Sequence, residues 1–347
     1  MTGYADADHY AALYGSVPRK YAFKAGDRGG AETWRESFRA ELRGALGVAN
    51  MERDLAGYAP RAEVVERDEM PGGIIREKML FWTEPDVPLP VWVLRRKDLG
   101  GRLPVVLTPH GHNHPEIYAG ITANEEEKKS MTEGERDIAV QAAREGYLAI
   151  LPTARGFGGT RTAADREAGK LHSCRTELLH GLLVGRTAIG ERVWDVSRLI
   201  DWAQARPDAD GTRIAITGNS GGGTTSLFSG ACETRITVTV PSCYFCTFAG
   251  SIGSINHCDC NYVPGVMRLG EMYDVAGLTA PRPFCAIAGE HDDIFPIAHA
   301  REAHAKLAGI YSVFGVPDRC EMFVGSGGHR YYQDGSWPFI RKWFGKV

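Results

Sequence analysis

The sequence predicts an α/β protein: a mixed, mostly parallel sheet of about eight strands, covered by helices on both faces and preceded by an N-terminal helical arm. Three observations predict it. Past residue 130, short apolar runs alternate with segments of helical period, the pattern of parallel strands buried by crossover helices. Between 61 and 96, strand-type runs are separated by turn residues, which adds an antiparallel lead-in. At 214–217 an apolar strand run stops abruptly in Gly218-Asn219-Ser220-Gly221-Gly222, and the residues after it can start a helix.

Taken in order, residues 1–60 are rich in Ala, Arg and Glu. Trp34, Phe38, Leu42 and Leu46 fall on one helical face with charged residues between them. This arm either packs on the larger domain or makes contacts in a homo-oligomer. Runs at 62–66, 74–82 and 91–94 read as antiparallel strands, and 103–108 as a short apolar strand bounded by Pro104 and Pro109. A helix near 133–145 leads to a strand at 147–151. The helix at 191–205 sets Val193, Val196, Ile200 and Ala203 on one face. Strands then follow at 235–240, 283–288 and 320–324, with helices near 297–308 and 337–344. Internal repeats and low-complexity linkers are lacking, so the partition is an arm (1–60) and one domain (61–347).

Composition narrows the function. Of 347 residues, 43% are hydrophobic and 24% charged, the balance of a globular protein with ample core. Forty Lys and Arg against 43 Asp and Glu give a net charge of −3, no footprint for nucleic acid or an anionic membrane. No apolar run has the length of a membrane span. The first residues carry neither a basic nor an apolar signal region, so a cytoplasmic location is the default. The even count of 8 cysteines is weak evidence for disulfides in such a chain. Cys232 and Cys285 read as small buried hydrophobes.

The chemistry gathers where strands end. A serine on a tight turn between strand and helix is a nucleophile elbow, which lifts its Oγ clear of the backbone. Gly218 and Gly222 flank Ser220 where strand and helix pass too close for a Cβ. Such a serine needs a base, itself oriented by a carboxylate. The strand at 284–288 runs into Gly289-Glu290-His291-Asp292-Asp293, which offers Asp292 as the acid. Asp293 is its rival by one register step, and both could instead cap the following helix. The last strand runs into Gly325-Ser326-Gly327-Gly328-His329, which offers His329 as the base. For the oxyanion, the N–H of Gly221 opens the helix after the serine. A second donor is expected from the turn His110-Gly111-His112, at His112 or Gly111. The alternating His110, His112 and His114 could also read as metal ligands, but the donor role accounts for the position of the segment. Ala154-Arg155-Gly156-Phe157-Gly158 is a Gly-rich turn with no Lys-Ser/Thr after it, so it is not a phosphate loop.

The order Ser220, Asp292, His329, with His-Gly after the strand at 103–108 and Arg-Gly-Phe-Gly after the strand at 147–151, resembles the α/β-hydrolase superfamily over 61–347. Within it the motifs are similar to the acetyl xylan esterase and dienelactone-hydrolase-like branch, although dienelactone hydrolases use a cysteine where this chain has Ser220. The resemblance implies a serine esterase cleaving short acyl esters, acetyl or sugar esters among them, with no cofactor and no metal. A small-molecule or carbohydrate ester is the expected substrate. Alternatives are a peptidase of prolyl-oligopeptidase type, against which the lack of a preceding propeller speaks, and a non-catalytic binding protein of this fold. Candidate pocket residues are His110, Arg155, Asn219, Tyr244 and Phe245, with a structural role the preferred reading for Arg155 and a core role the alternative for Tyr244 and Phe245. Cys243, Cys246, His257, Cys258 and Cys260 sit in one segment. Buried thiols are the expected reading there, with a zinc site or a disulfide as the competitors.

Overall fold

The computed structural model describes residues 6–345; residues 1–5 of the arm and the last two of the chain lie outside it. The strands are β1 (Arg61–Met70), β2 (Ile74–Trp82), β3 (Pro88–Arg96), β4 (Leu103–Leu107), β5 (Leu148–Pro152), β6 (Ala209–Asn219), β7 (Val238–Ser242), β8 (Phe284–Gly289) and β9 (Cys320–Gly325). They form one sheet in the order β1-β2-β3-β5-β4-β6-β7-β8-β9. β1 to β3 make an antiparallel meander, β3 lies antiparallel to β5, and β4 to β9 pair in parallel. The sheet has nine strands where about eight are expected. Each is one of the expected runs; β1, expected only over 62–66, extends to Met70 and is exposed along almost its whole length, with a bulge between Val64 and Glu66. Its charges pair across to β2, Glu66 with Lys78 and Asp68 with Arg76, which keeps a bare edge solvated.

The two faces follow from the strand period of two. On β4, Val105 and Leu107 enter the core beneath the helix Ala188–Gln204, while Val106 enters the core on the opposite face. There it meets the helices Ile138–Arg144 and Gln333–Phe344. β6 repeats this, with Ile214 and Ile216 on one side and Ala215 on the other. Both faces are therefore apolar, as parallel strands require.

The N-terminal segment is built against this body. Asp27 caps the helix Arg28–Leu46 by accepting from the Gly30 N–H at 2.8 Å, and Gly47 ends it at φ +84°. Phe38, Leu42 and Leu46 are fully buried in the same core as Phe228 and Ile189. Each buried side chain of that kind is worth roughly 1.5–3 kcal/mol. Beside that apolar face, Arg35, Arg39 and Arg43 donate to the carbonyls of Ala280, Ala231, Leu278 and Cys232. No helix among the described residues is long and apolar enough to cross a membrane.

Candidate active site

β6 lies near the middle of the sheet, and the chain leaves it through Ser220 into the helix Gly221–Cys232. Ser220 stands at φ 58° and ψ −117°, a conformation costly for a residue with a side chain. It is held there by its own N–H, which donates to Ser242 O of β7 at 2.9 Å. The glycines around it are explained by contact. A Cβ on Gly218 would stand 2.9 Å from Gly222 Cα, and one on Gly222 would stand 2.0 Å from Pro109 O. No side chain fits at either position.

Asp292 lies on the turn after β8 and is 5% exposed, whereas Asp293 is exposed to solvent. Asp292 Oδ1 accepts the N–H groups of Ile294 and Phe295, both at 3.0 Å. That fixes the carboxylate and leaves Oδ2 to meet Nδ1 of His329 at 2.8 Å. His329, on the Gly-rich loop after β9, stacks on Phe295 with ring centroids 5.7 Å apart. Cys243 lies beside this pair with its thiol donating to Arg330 O at 3.1 Å. Burial and the nearby Asp292 charge push that thiol up, so it stays protonated.

Ser220, Gly221 and His329 share the wall of one cleft of about 320 Å³ with His112, Asn113 and Asn219. The loop after β4 reaches it by lying on the elbow: a Cβ on Gly111 would stand 2.8 Å from Asn219 O and 3.3 Å from Ser220 Cβ. The His112 ring lies over Gly221, with Nδ1 3.1 Å from where a Cβ of Gly221 would be. The N–H groups of the first helical turn have no partner within the helix, and that of Gly221 is one of them.

Four of the residues expected in the pocket are elsewhere. His110 is buried beneath the loop, its Nδ1 donating to Gly111 O at 2.7 Å and its Nε2 accepting the Ala154 N–H at 2.9 Å. Burial pushes its pKa down to about 3, so the ring is neutral and serves the loop. Arg155 is locked in a buried network with Asp195, Glu84 and Thr83 at 2.5–3.1 Å. Burial opposes its charge, but Asp195, Glu191 and Glu84 outweigh that and hold it firmly protonated. Tyr244 and Phe245 are core residues, packed on Phe295 and Phe284. Conversely, the cleft is lined by Arg136, His172, Asn256 and Asn261, which no sequence motif singled out. They lie well along the segments that follow β4, β5 and β7, so the topology pointed to those segments but not to the residues. Arg136 presents a buried Nε without a protein partner.

The cysteine segment divides. All eight cysteines are free thiols. Cys243 and Cys246 stay by the loops after β9 and β8, their sulfurs directed at Arg330 O beside His329 and at Pro296 O at the end of the Asp292 loop. Cys258 and Cys260 turn the other way and meet His112 and Cys174. Cys174 was not a candidate from the sequence, since it lies on the helix Cys174–Leu182, far from the others along the chain. His114, the third member of the alternating histidines, is half exposed near Glu127.

A parallel sheet wrapped by helices, with a serine on the turn after a central strand and an acid and a histidine after later strands, defines the α/β-hydrolase fold. Known proteins agree with that architecture. A family model of the fungal glucuronyl esterases matches residues 178–251, the stretch that carries the elbow. Over 291 residues the chain is 24% identical to YtaP of Bacillus subtilis (strain 168), a protein assigned as a hydrolase, covering 81% of this chain and 90% of that one. A Bacteroides fragilis NCTC 9343 structure assigned as an acetyl xylan esterase has a TM-score of 0.74 at 17% identity, over 97% of this chain and 84% of that one. A glucuronoyl esterase from Solibacter usitatus has a TM-score of 0.67 at 15% identity, over 94% and 96%. The proteins this chain is similar to are thus hydrolases, and the more specifically assigned among them are esterases.

Proposed function

We propose that the chain is a serine esterase that cleaves carboxylic esters borne on carbohydrates, through an acyl-enzyme on Ser220. In this reading Ser220 Oγ attacks the acyl carbonyl and His329 takes its proton. Asp292 holds the imidazole with its hydrogen on Nδ1, which leaves Nε2 to accept, and it stabilises the imidazolium that forms. The developing oxyanion is met by the N–H of Gly221, aided by the helix behind it, and by the loop at Gly111 and His112. The imidazolium then protonates the leaving alcohol, and water deacylates Ser220 by the same route in reverse.

The observation that carries the proposal is the 2.8 Å His329–Asp292 pair opening into the same cleft as the strained Ser220. The polar class of substrate is supported by the walls: Asn113, Asn219, Asn256 and Asn261 suit a ring of hydroxyls better than a long alkyl chain. Acetyl xylan and glucuronoyl esters, the substrates named for the similar structures, are both of that class.

The test is a panel of sugar acetates, methyl esters of glucuronate and aminoacyl amides, assayed with the native chain and Ser220→Ala. Ester cleavage should fall by a factor on the order of 10⁴ or more in the variant. Unchanged cleavage would remove Ser220 from the mechanism. A preference for the amides would make the chain a peptidase instead. A fluorophosphonate that fails to label folded protein would make it a binding protein.

A further inference from the structure

Four metal-ligating side chains from three loops converge beside the cleft. His112 comes from the loop after β4, Cys174 from the segment after β5, and Cys258 and Cys260 from the loop after β7. One atom of each, the imidazole Nε2 and three Sγ, lies within 4.8 Å of every other, and His112 Nε2 is 3.2 Å from Cys260 Sγ. We propose that this cluster binds one Zn²⁺ ion, which clamps the three loops into a single wall of the cleft.

The geometry is that of a closed tetrahedral site. Zinc–sulfur bonds of about 2.3 Å and zinc–nitrogen bonds of about 2.0 Å place the ligand atoms about 3.5–3.8 Å apart, so small side-chain movements seat the ion. Three thiolates and an imidazole are a soft donor set, which favours zinc over calcium or magnesium. Burial suits a structural metal, since Cys174 and Cys260 are fully enclosed and Phe157 and Ala188 pack on them. Charge is balanced as well. Zn²⁺ with three thiolates carries one net negative charge, and buried Arg192 stands by with Nη2 3.9 Å from Cys174 Sγ and a partnerless Nε. On the outside, Arg175, next to Cys174, and Asp259, between Cys258 and Cys260, close a 3.0 Å ion pair between the same segments.

With four protein ligands the ion has no open position, so its role is to hold shape. One consequence rests on the esterase reading. A metal on Nε2 of His112 leaves the ring hydrogen on Nδ1, the nitrogen that lies over Gly221. The clamp therefore sets both the position and the tautomer of a donor next to the expected oxyanion.

The experiment is elemental analysis of full-length protein purified in reductant without added metal, followed by Co²⁺ exchange. About one zinc per chain is expected, falling severalfold in Cys174→Ser and Cys260→Ser and unchanged in Cys232→Ala. Because a ligand variant can misfold, the native chain carries the second measurement. Co²⁺ should give tetrahedral visible bands with thiolate charge transfer in the near ultraviolet. Protein that takes up neither ion, zinc retained in both serine variants, iron with sulfide in place of zinc, or a disulfide among these thiols would each overturn the proposal. Metal content is read without reference to activity, so an esterase failure with zinc bound sinks the function and leaves the site standing.

Discussion

Asp292→Asn separates the two jobs of one carboxylate. In the folded protein Oδ1 accepts two backbone N–H groups at 3.0 Å, and Oδ2 faces His329 Nδ1 at 2.8 Å. Asparagine keeps an oxygen for the backbone pair, so its NH₂ must take the place of Oδ2. A donor facing Nδ1 forces that nitrogen to accept, and the ring hydrogen moves to Nε2. Nε2 is the atom that has to receive the Ser220 proton. The base is disabled while the fold keeps its turn. The expected loss in kcat/KM is on the order of 10⁴, about 5.5 kcal/mol in the barrier. Unfolding free energy should change by less than about 1 kcal/mol, because the backbone bonds to Oδ1 survive. The assay is steady-state hydrolysis of an activated acetate beside urea denaturation, with Asp293→Asn as the control expected to retain activity. An Asp292→Asn enzyme within about tenfold of the native rate, or a larger loss in Asp293→Asn, would refute the reasoning.

Two further outcomes follow from buried charge. His110 is neutral in the folded chain with its pKa pushed down to about 3, against 6.5 for a free ring. The unfolded chain binds that proton first, so this stability is complete above pH 6.5 and is lost as pH falls toward 3. Between pH 6.5 and 5 the loss is about 2 kcal/mol, and urea titrations of His110→Gln should be shallower by that amount over the same range. Arg155→Met leaves Asp195 facing a buried gap without its cation, while Glu84 keeps Arg186 at 2.9 Å, and should cost about 3–5 kcal/mol by chemical denaturation. Since Arg155 is not in the cleft, KM for esters should hardly move in whatever fraction folds.

What could be read from the sequence was what local chemistry dictates. Gly218 and Gly222 announce the elbow because a Cβ at either position collides with backbone, and a clash of that kind is written into the motif. The strand–helix alternation gave the sheet because each strand must bury both faces. Asp292 and Asp293 could not be told apart along the chain, since they are adjacent on one turn and differ in which one points inward. Tyr244 and Phe245 failed as pocket residues for a related reason. An aromatic after a strand end has the same local signature whether it faces a cleft or the core beneath it, and here Phe284 and Phe295 enclose them. The Cys/His cluster was hidden by distance. Two of its four members, His112 and Cys174, come from loops after other strands, and spacing says nothing about loops that meet only in the fold.

The helix Arg28–Leu46 has a consequence for how this chain is made. It leaves the ribosome early, yet its apolar face seats against Phe228, Val275, Leu307 and Ile310, and its arginines bond carbonyls as late as Ala280. At about 5–20 residues per second, those partners appear only after tens of seconds of further synthesis. During that interval Phe38, Leu42 and Leu46 have only near neighbours such as Tyr21, Val48 and Met51 to pack against, and not the core they finally join. This helix, made before most of its partners, is therefore among the last elements to be fully seated, and completion of the fold waits on the C-terminal half.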